Sequence, residues 1–313
     1  MDNLSIKEKT IIYYSMLACN SLSIIGCLFI CVVFIICKTL HQYSFKMIFI
    51  LSLFDIGSSV AFLIPTYDRS ANDSECMAQA IILNFFTLSG VLWTTYIAIS
   101  LYSIIVRNNM FFEKYFKHTL VFIIVICLIV TMIPYFTESY GRVSGWCWID
   151  SDRQKIGFFE RLFLFFIPLW LFIIFNLSLY IIIIRKMSTN LSDESVIKSL
   201  SKKLTYYPIT LVICFLPYTL KALLEIFDYQ SIQKYEFILT LVSGISRSIV
   251  GFLNAIVYGN TKKIKRAIKQ RLSGEYLSLE NFENSARGRK RLGSIKSSQC
   301  TVFFGTFVDD ETS

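Results

Sequence analysis

Long apolar runs alternate with short polar turns along this chain, and the pattern repeats seven times before a basic tail begins. The runs are Ile11 to Cys37, Met47 to Tyr67, Met77 to Val106, Thr119 to Thr137, Leu162 to Ile184, Leu204 to Leu224 and Phe237 to Tyr258. Each reaches or exceeds the roughly 17 to 20 residues that a helix rising about 1.5 Å per residue needs to cross about 30 Å of hydrocarbon. Strands of a membrane barrel would be about 10 residues long and would alternate in polarity. These runs do neither. Backbone polar groups find no water in lipid, so the runs predict helices. The expected fold is an all-α membrane protein, a seven-transmembrane helix bundle with a short amphipathic juxtamembrane helix. Seven crossings put the two termini on opposite sides.

Composition agrees: 54% of residues are hydrophobic and only 17% charged, against roughly a quarter charged in soluble domains. Most lysines and arginines fall on one side of the segments, at Lys38, Lys46, Arg107, Lys114, Lys117, Arg185, Lys186, Lys198, Lys202 and Lys203 and in the tail. That bias orients the chain with its N-terminus outside and its C-terminus cytoplasmic, in the plasma membrane. The net charge of +9 then reflects orientation, and nucleic acid is not an expected partner. Residues 1–10 are a short extracellular N-terminus without a cleavable leader, 11–259 the bundle, 260–272 a basic amphipathic helix on the inner leaflet and 273–313 a disordered cytoplasmic tail. An N-terminus so short holds no ligand by itself, which places any ligand site in the bundle or its outer loops.

Nine cysteines are present. Six lie inside apolar runs, where a packed thiol is ordinary, and Cys300 is in the tail. Cys76 and Cys147 alone face the oxidising side, which predicts a disulfide between them. Asn3 and Asn72 head glycosylation sequons on the same side. All five prolines fall inside or at the end of apolar segments, and Pro208 and Pro217 make segment six the candidate bending element, unless they are tolerated bends without a switching role. After segment seven, Ile264, Ala267, Ile268 and Leu272 share one face of a helix whose other face is basic, as in helices that lie along a membrane surface. Ser294, Ser297 and Ser298 follow a basic cluster and are candidate kinase sites; a plain solvated basic run is the alternative.

Ionisable groups in a bilayer core cost at least about 2.5 to 3.5 kcal/mol each on insertion scales, so each needs a partner or a role. Asp55 and Arg247 are the deep ones. They either pair or share a polar network with Ser52, Ser89 and Asn254; the competing reading has Arg247 facing a cavity and binding an anionic ligand group. Lys221 and Glu225, four residues apart, share a helical face. They pair with each other, or they line an outward-facing pocket with Asn84 and Arg161.

Four stretches carry a resemblance. They are Phe85 to Tyr102 on segment three, Gly145-Trp146-Cys147-Trp148-Ile149 in an outer loop, Lys203 to Pro208 leading to Cys214-Phe215-Leu216-Pro217, and Gly251 to Gly259. Together they resemble the cyclic-AMP receptor-like group of seven-helix G-protein-coupled receptors, remotely similar to the secretin and adhesion types. The resemblance implies a receptor for an extracellular small molecule that activates a heterotrimeric G protein by moving segment six. It also implies the Cys76–Cys147 bridge, tail phosphorylation by kinases, and arrestin-like regulators. On this view Pro208, Pro217 and Trp93 are switch residues and Arg107, Lys202 and Lys203 face the G protein. Two departures stand out: Tyr102 to Arg107 lacks an Asp-Arg-Tyr, and segment seven lacks an Asn-Pro-x-x-Tyr. A solute transporter is the runner-up. No cofactor, metal or enzymatic activity is expected, since His41 and His118 are isolated and segment seven offers no lysine before Lys262 for a retinal Schiff base.

Overall fold

The computed structural model describes residues 4–66, 73–109, 111–143, 145–150, 155–190, 209–224, 229–259 and 261–273. The helices, in chain order, are α1 (Ile6–Ile36), α2 (Tyr43–Ala61), α3 (Asp73–Arg107), the short α4 (Phe111–Lys114) and α5 (Phe116–Phe136). A hairpin of β1 (Tyr140–Val143) and β2 (Trp146–Ile149) follows, and then α6 (Lys155–Glu160) runs through a π turn, Arg161–Phe166, into α7 (Ile167–Asn190). The remainder is α8 (Ile209–Leu224), α9 (Tyr229–Ser248), α10 (Val250–Gly259) and α11 (Lys262–Ser273). Among the described residues six helical stretches are long and apolar enough to cross a membrane, and α8 is a shorter apolar seventh. Segment four is therefore α5, segment five α6 with α7, segment six α8 and segment seven α9 with α10.

Local chemistry explains where helix ends differ from the apolar runs. Helix α1 begins five residues early because Glu8 N–H donates to Ser5 Oγ (3.3 Å) while Ser5 N–H donates to Glu8 Oε2 (2.8 Å), a reciprocal cap for the first turn. Helix α2 stops at Ala61, short of Tyr67. Pro65 disfavours helical backbone at Ile64, and the chain closes in turns from Phe62 to Ile64.

The centre is α3, packed against α2, α5, α7 and the hairpin. Two apolar clusters divide the interior: one gathers around Trp93, Tyr96 and Leu101, the other around Trp146, Trp148, Phe165 and Phe215. At Gly251 a Cβ would come within 3.1 Å of Cys27 Sγ and of Ser23 Cβ, so the missing side chain lets α10 lie directly on α1.

Segment seven breaks between α9 and α10 without a proline. Ser23 Oγ on α1 accepts from Phe252 N–H (3.1 Å) and donates to Ser248 C=O (2.7 Å), taking the place of the helical bond those two groups would make with each other. A side chain inserted into the helical ladder is an identified cause of a helix break. Asn20 Nδ2 adds a bond to Ser248 Oγ (2.8 Å).

At the end away from the hairpin, Tyr96 O–H donates to the Phe112 carbonyl (2.8 Å) and shares a hydrogen bond with Tyr43 O–H (2.8 Å), which reaches Ser100 Oγ (3.1 Å). Trp93 Nε1–H donates to the Met47 carbonyl (2.8 Å). Helix α11 lays Ile264 and Ala267 inward beside the turn Lys38–Leu40, leaving Lys265 and Arg266 exposed.

Candidate functional site: a small cavity beneath a disulfide-tied hairpin

Cys76 in the first turn of α3 is bonded to Cys147 in β2, with Cα atoms 5.2 Å apart. One turn further along α3, Gln79 completes the fastening. Its Oε1 accepts from Cys147 N–H (2.6 Å) and Thr66 Oγ1–H (2.5 Å), and its Nε2 donates to the carbonyls of Ala61 and Ile64 (3.1 Å each). The hairpin pairs Val143 with Trp146 and Arg142 with Cys147. Gly145, at φ 115°, closes the turn in backbone that glycine adopts without strain.

This hairpin drives aromatic rings into the bundle. Trp148 lies 4.9 Å from Phe165 and 5.4 Å from Tyr218, and Trp146 lies 6.4 Å from Tyr218, ring centre to ring centre. Asn84 holds the arrangement from below: its Nδ2 donates to Tyr140 Oη (3.1 Å) and its Oδ1 accepts from Trp148 Nε1–H (3.3 Å). Burial pushes the Tyr140 hydroxyl well above its usual range, so it stays protonated and donates to the Thr131 carbonyl (2.8 Å).

Under these rings is a cavity of about 20 Å³ whose walls include Met16, Thr87, Trp146, Trp148, Tyr218 and Arg247. That is room for about one water, far below the roughly 300 to 1,000 Å³ of a small-molecule site. Arg247 enters from segment seven, donating from Nη2 to Ser58 Oγ (3.0 Å) and to Thr87 Oγ1, with its guanidinium 5.4 Å from the Phe215 ring centre. Deeper in the bundle Asn254 Nδ2 donates to Asp55 Oδ2 (2.9 Å).

Asp55 and Arg247 interact electrostatically, yet no hydrogen bond joins them directly among the described residues. The polar centre is thus two hydrogen-bonded sets, Ser58 and Thr87 with the arginine and Asn254 with the aspartate. Ser89 is fully buried beside Cys127 of α5, and its Oγ makes no hydrogen bond among the described residues. Of the residues expected to bind a ligand, Arg247 is in the wall of this cavity. Asn84 is not, and the hairpin occupies both ends of its carboxamide. Arg161 is 5% exposed, with its guanidinium 5.3 Å from the Trp148 ring and 5.9 Å from Phe166; the aromatic layer separates it from the cavity. Lys221 is 1% exposed on α8 and is likewise not part of the cavity wall.

Pro217 stands within α8, and its carbonyl accepts from Ser243 Oγ of α9 (3.2 Å). Trp93 is fully buried in the cluster at the far end. Arg107 is exposed at the end of α3. Glu225, Pro208, Lys202, Lys203, Asn3, Asn72, Ser294, Ser297 and Ser298 lie outside the described residues. Sequence reasoning missed Gln79, Phe165, Tyr218 and Ser23. Only Gln79 carried a signal, as a polar residue one helical turn from Cys76.

Comparison with known proteins accords with this architecture. The family model of the slime mold cyclic AMP receptor matches residues 4–267. A protein called G-protein coupled receptor 1 from Arabidopsis thaliana is 28% identical over 85% of this chain and 82% of its own length. Cyclic AMP receptor-like protein A of Dictyostelium discoideum is 31% identical over 80% of this chain and 63% of its own. Cyclic AMP receptor 2 of the same organism is 32% identical over 46% of this chain and 40% of its own. This chain therefore spans less than two thirds of both Dictyostelium relatives. Membrane helices, the Cys76–Cys147 bridge and the matched span lead to one conclusion: the chain is a multi-pass membrane protein and belongs to the slime mold cyclic AMP receptor family.

Proposed function

We propose that this protein is a G-protein-coupled receptor that senses an extracellular small molecule in the cavity at Arg247 and activates a heterotrimeric G protein by movement of segment six. The observation that carries the proposal is the placement of a guanidinium in the wall of a small cavity, directly beneath a hairpin fastened by a disulfide. A cation there selects a ligand with an anionic group. The names of two Dictyostelium relatives make cyclic AMP, a phosphate anion, the first compound to test.

The cavity admits a ligand only if its walls part, and a ligand shifts the equilibrium only by its greater affinity for the parted state. Segment six contributes Phe215 and Tyr218 to this aromatic layer, so outward displacement of α8 enlarges the cavity. It also draws Pro217 away from Ser243, and at the far end it opens a cleft beside the exposed Arg107. In this reading the N-terminus is outside and the tail is cytoplasmic, with Lys202 and Lys203 beside the G protein. Helix α11 lies on the inner leaflet of the lipid bilayer, and Ser294, Ser297 and Ser298 are open to kinases and arrestin-like regulators.

The test uses the full chain in nanodiscs with a purified heterotrimeric G protein. A metabolite and nucleotide panel, cyclic AMP included, is screened for compounds that promote complex formation. Recruitment that requires the compound and is reversed by GTP supports the proposal. Solute uptake into vesicles without any such recruitment would show a transporter instead.

A further inference from the structure

A second cavity lies on the membrane side of the aromatic layer, between α3, α5 and segment five. Its volume is about 220 Å³, and its walls include Leu92, Ile126, Val130, Phe163, Phe165 and Pro168. None of its lining side chains carries nitrogen or oxygen. Its mouth is flanked by Phe163, 58% exposed, and Ile126, 37% exposed, and it continues into the outward apolar face of α5, where Phe122 and Ile129 also stand exposed.

Protein interiors pack with few voids larger than a water molecule, so an apolar recess of this size is a feature to be filled. Water is the wrong occupant, because an apolar cavity offers it no hydrogen-bond partners. Depth narrows the choice further. Val130 and Ile126 lie six and ten residues before the last residue of α5, which places them about 9 and 15 Å below that helix end at 1.5 Å per residue. The half-thickness of the hydrocarbon layer is about 15 Å. Headgroups do not reach this level, but the middle of a lipid tail does.

The wall on the segment five side is the π turn Arg161–Phe166 followed by Pro168. π turns inside helices occur frequently at functional sites. Phe165, within that turn, belongs to the lining of both cavities: its ring forms part of this recess and part of the chamber that holds Arg247. The two spaces are separated at this point by one side chain, itself braced by Trp148 at 4.9 Å.

We propose that this recess is a binding site for a phospholipid acyl chain from the leaflet on the hairpin side, with Phe165 as the partition between the bound chain and the central cavity. The site takes flexible hydrocarbon and offers nothing to a polar group. It is independent of which compound the central cavity binds.

The experiment reconstitutes the full chain in phosphatidylcholine nanodiscs containing a small fraction of phosphatidylcholine with a diazirine in mid-chain. After irradiation, adducts are mapped by mass spectrometry. Labelling of Ile126, Val130 and Phe163 is expected to exceed that of the exposed Ile25, Leu28 and Val32 on α1 severalfold. Leu92→Phe, which fills the recess, is expected to reduce the excess to the α1 level, and Val130→Phe provides the same test should Leu92→Phe unfold. Thermal unfolding and an intact Cys76–Cys147 bridge identify folded material. Equal labelling of the two faces overturns the proposal, as does an excess that survives both filling variants. Loss of the label to added sterol, but not to added unlabelled phospholipid, would assign the recess to a ring system and overturn it as well.

Discussion

The two ends of this bundle are held by different forces. At the hairpin end a covalent bond joins Cys76 to Cys147, and Gln79 directs four hydrogen bonds to the surrounding backbone and side chains within one helical turn of it. At the opposite end a chain of hydroxyls, Tyr43, Tyr96 and Ser100, and the Trp93 indole hold α2, α3 and α4 together. Hydrogen bonds within membranes average about 0.6 kcal/mol in double-mutant cycles, whereas a disulfide contributes about 2 to 4 kcal/mol. One end is thus fixed and the other is cheap to rearrange. Under the proposed function, a ligand at the first end would reshape a rigidly framed cavity, and a partner would meet the end held by hydrogen bonds.

Four substitutions test the contrast, and the largest effect belongs to the fixed end. Cys76→Ser is expected to lower stability by about 2 to 5 kcal/mol, the usual cost of losing a native disulfide, seen as a lower unfolding temperature in nanodiscs. Reductant should then lower the wild type to the same value and leave the variant unchanged. Next is Gln79→Leu, which leaves Cys147 N–H and the Thr66 hydroxyl without their acceptor; about 1 to 3 kcal/mol is expected, with faster hydrogen exchange at Cys147. Tyr96→Phe, at the other end, should cost only about 0.6 to 1 kcal/mol yet raise ligand-independent nucleotide exchange on the G protein. Equal stability losses for Gln79→Leu and Tyr96→Phe would erase the asymmetry. The smallest change is expected for Ser23→Ala, under about 1 kcal/mol, because Phe252 N–H and Ser248 C=O can then bond each other. Its signature is structural: segment seven straightens, and the response to agonist changes through Arg247.

Much of this fold was legible in the sequence because the membrane imposes a simple rule on length and polarity. Backbone that must satisfy itself in lipid leaves only long helices, and the apolar runs of α1, α3 and α5 display them directly. The cysteine pair was readable for a similar reason, since the topology expected from the sequence left only Cys76 and Cys147 on the oxidising side, and the two are bonded. The β-hairpin was hidden, because four residues to a strand produce no pattern. The break in segment seven was hidden as well. Its cause, Ser23, lies more than two hundred residues away in the chain, and nothing at Ser248 to Val250 marks the position.

The candidate site was legible in part. A lone arginine in an apolar run identified Arg247, but its partners Ser58 and Thr87 come from two other helices and have no sequence signature. Asn84 stood out only as a polar residue in an apolar run, and a buried carboxamide looks the same whether it awaits a ligand or supports a loop. Its bonds to Trp148 and Tyr140 are visible only in the folded structure.

Whether Arg247 holds the anionic group of the ligand is tested by thermal stabilisation of the full chain by anionic metabolites, cyclic AMP among them, compared with Arg247→Gln. A compound is expected that raises the unfolding temperature of the wild type by several degrees, binds Arg247→Gln at least about tenfold more weakly, in line with the roughly 1.5 to 3 kcal/mol of a charged hydrogen bond, and binds Arg161→Gln as it binds the wild type. A stabilising compound that binds wild type and Arg247→Gln equally, or one whose binding is lost in Arg161→Gln alone, would contradict it.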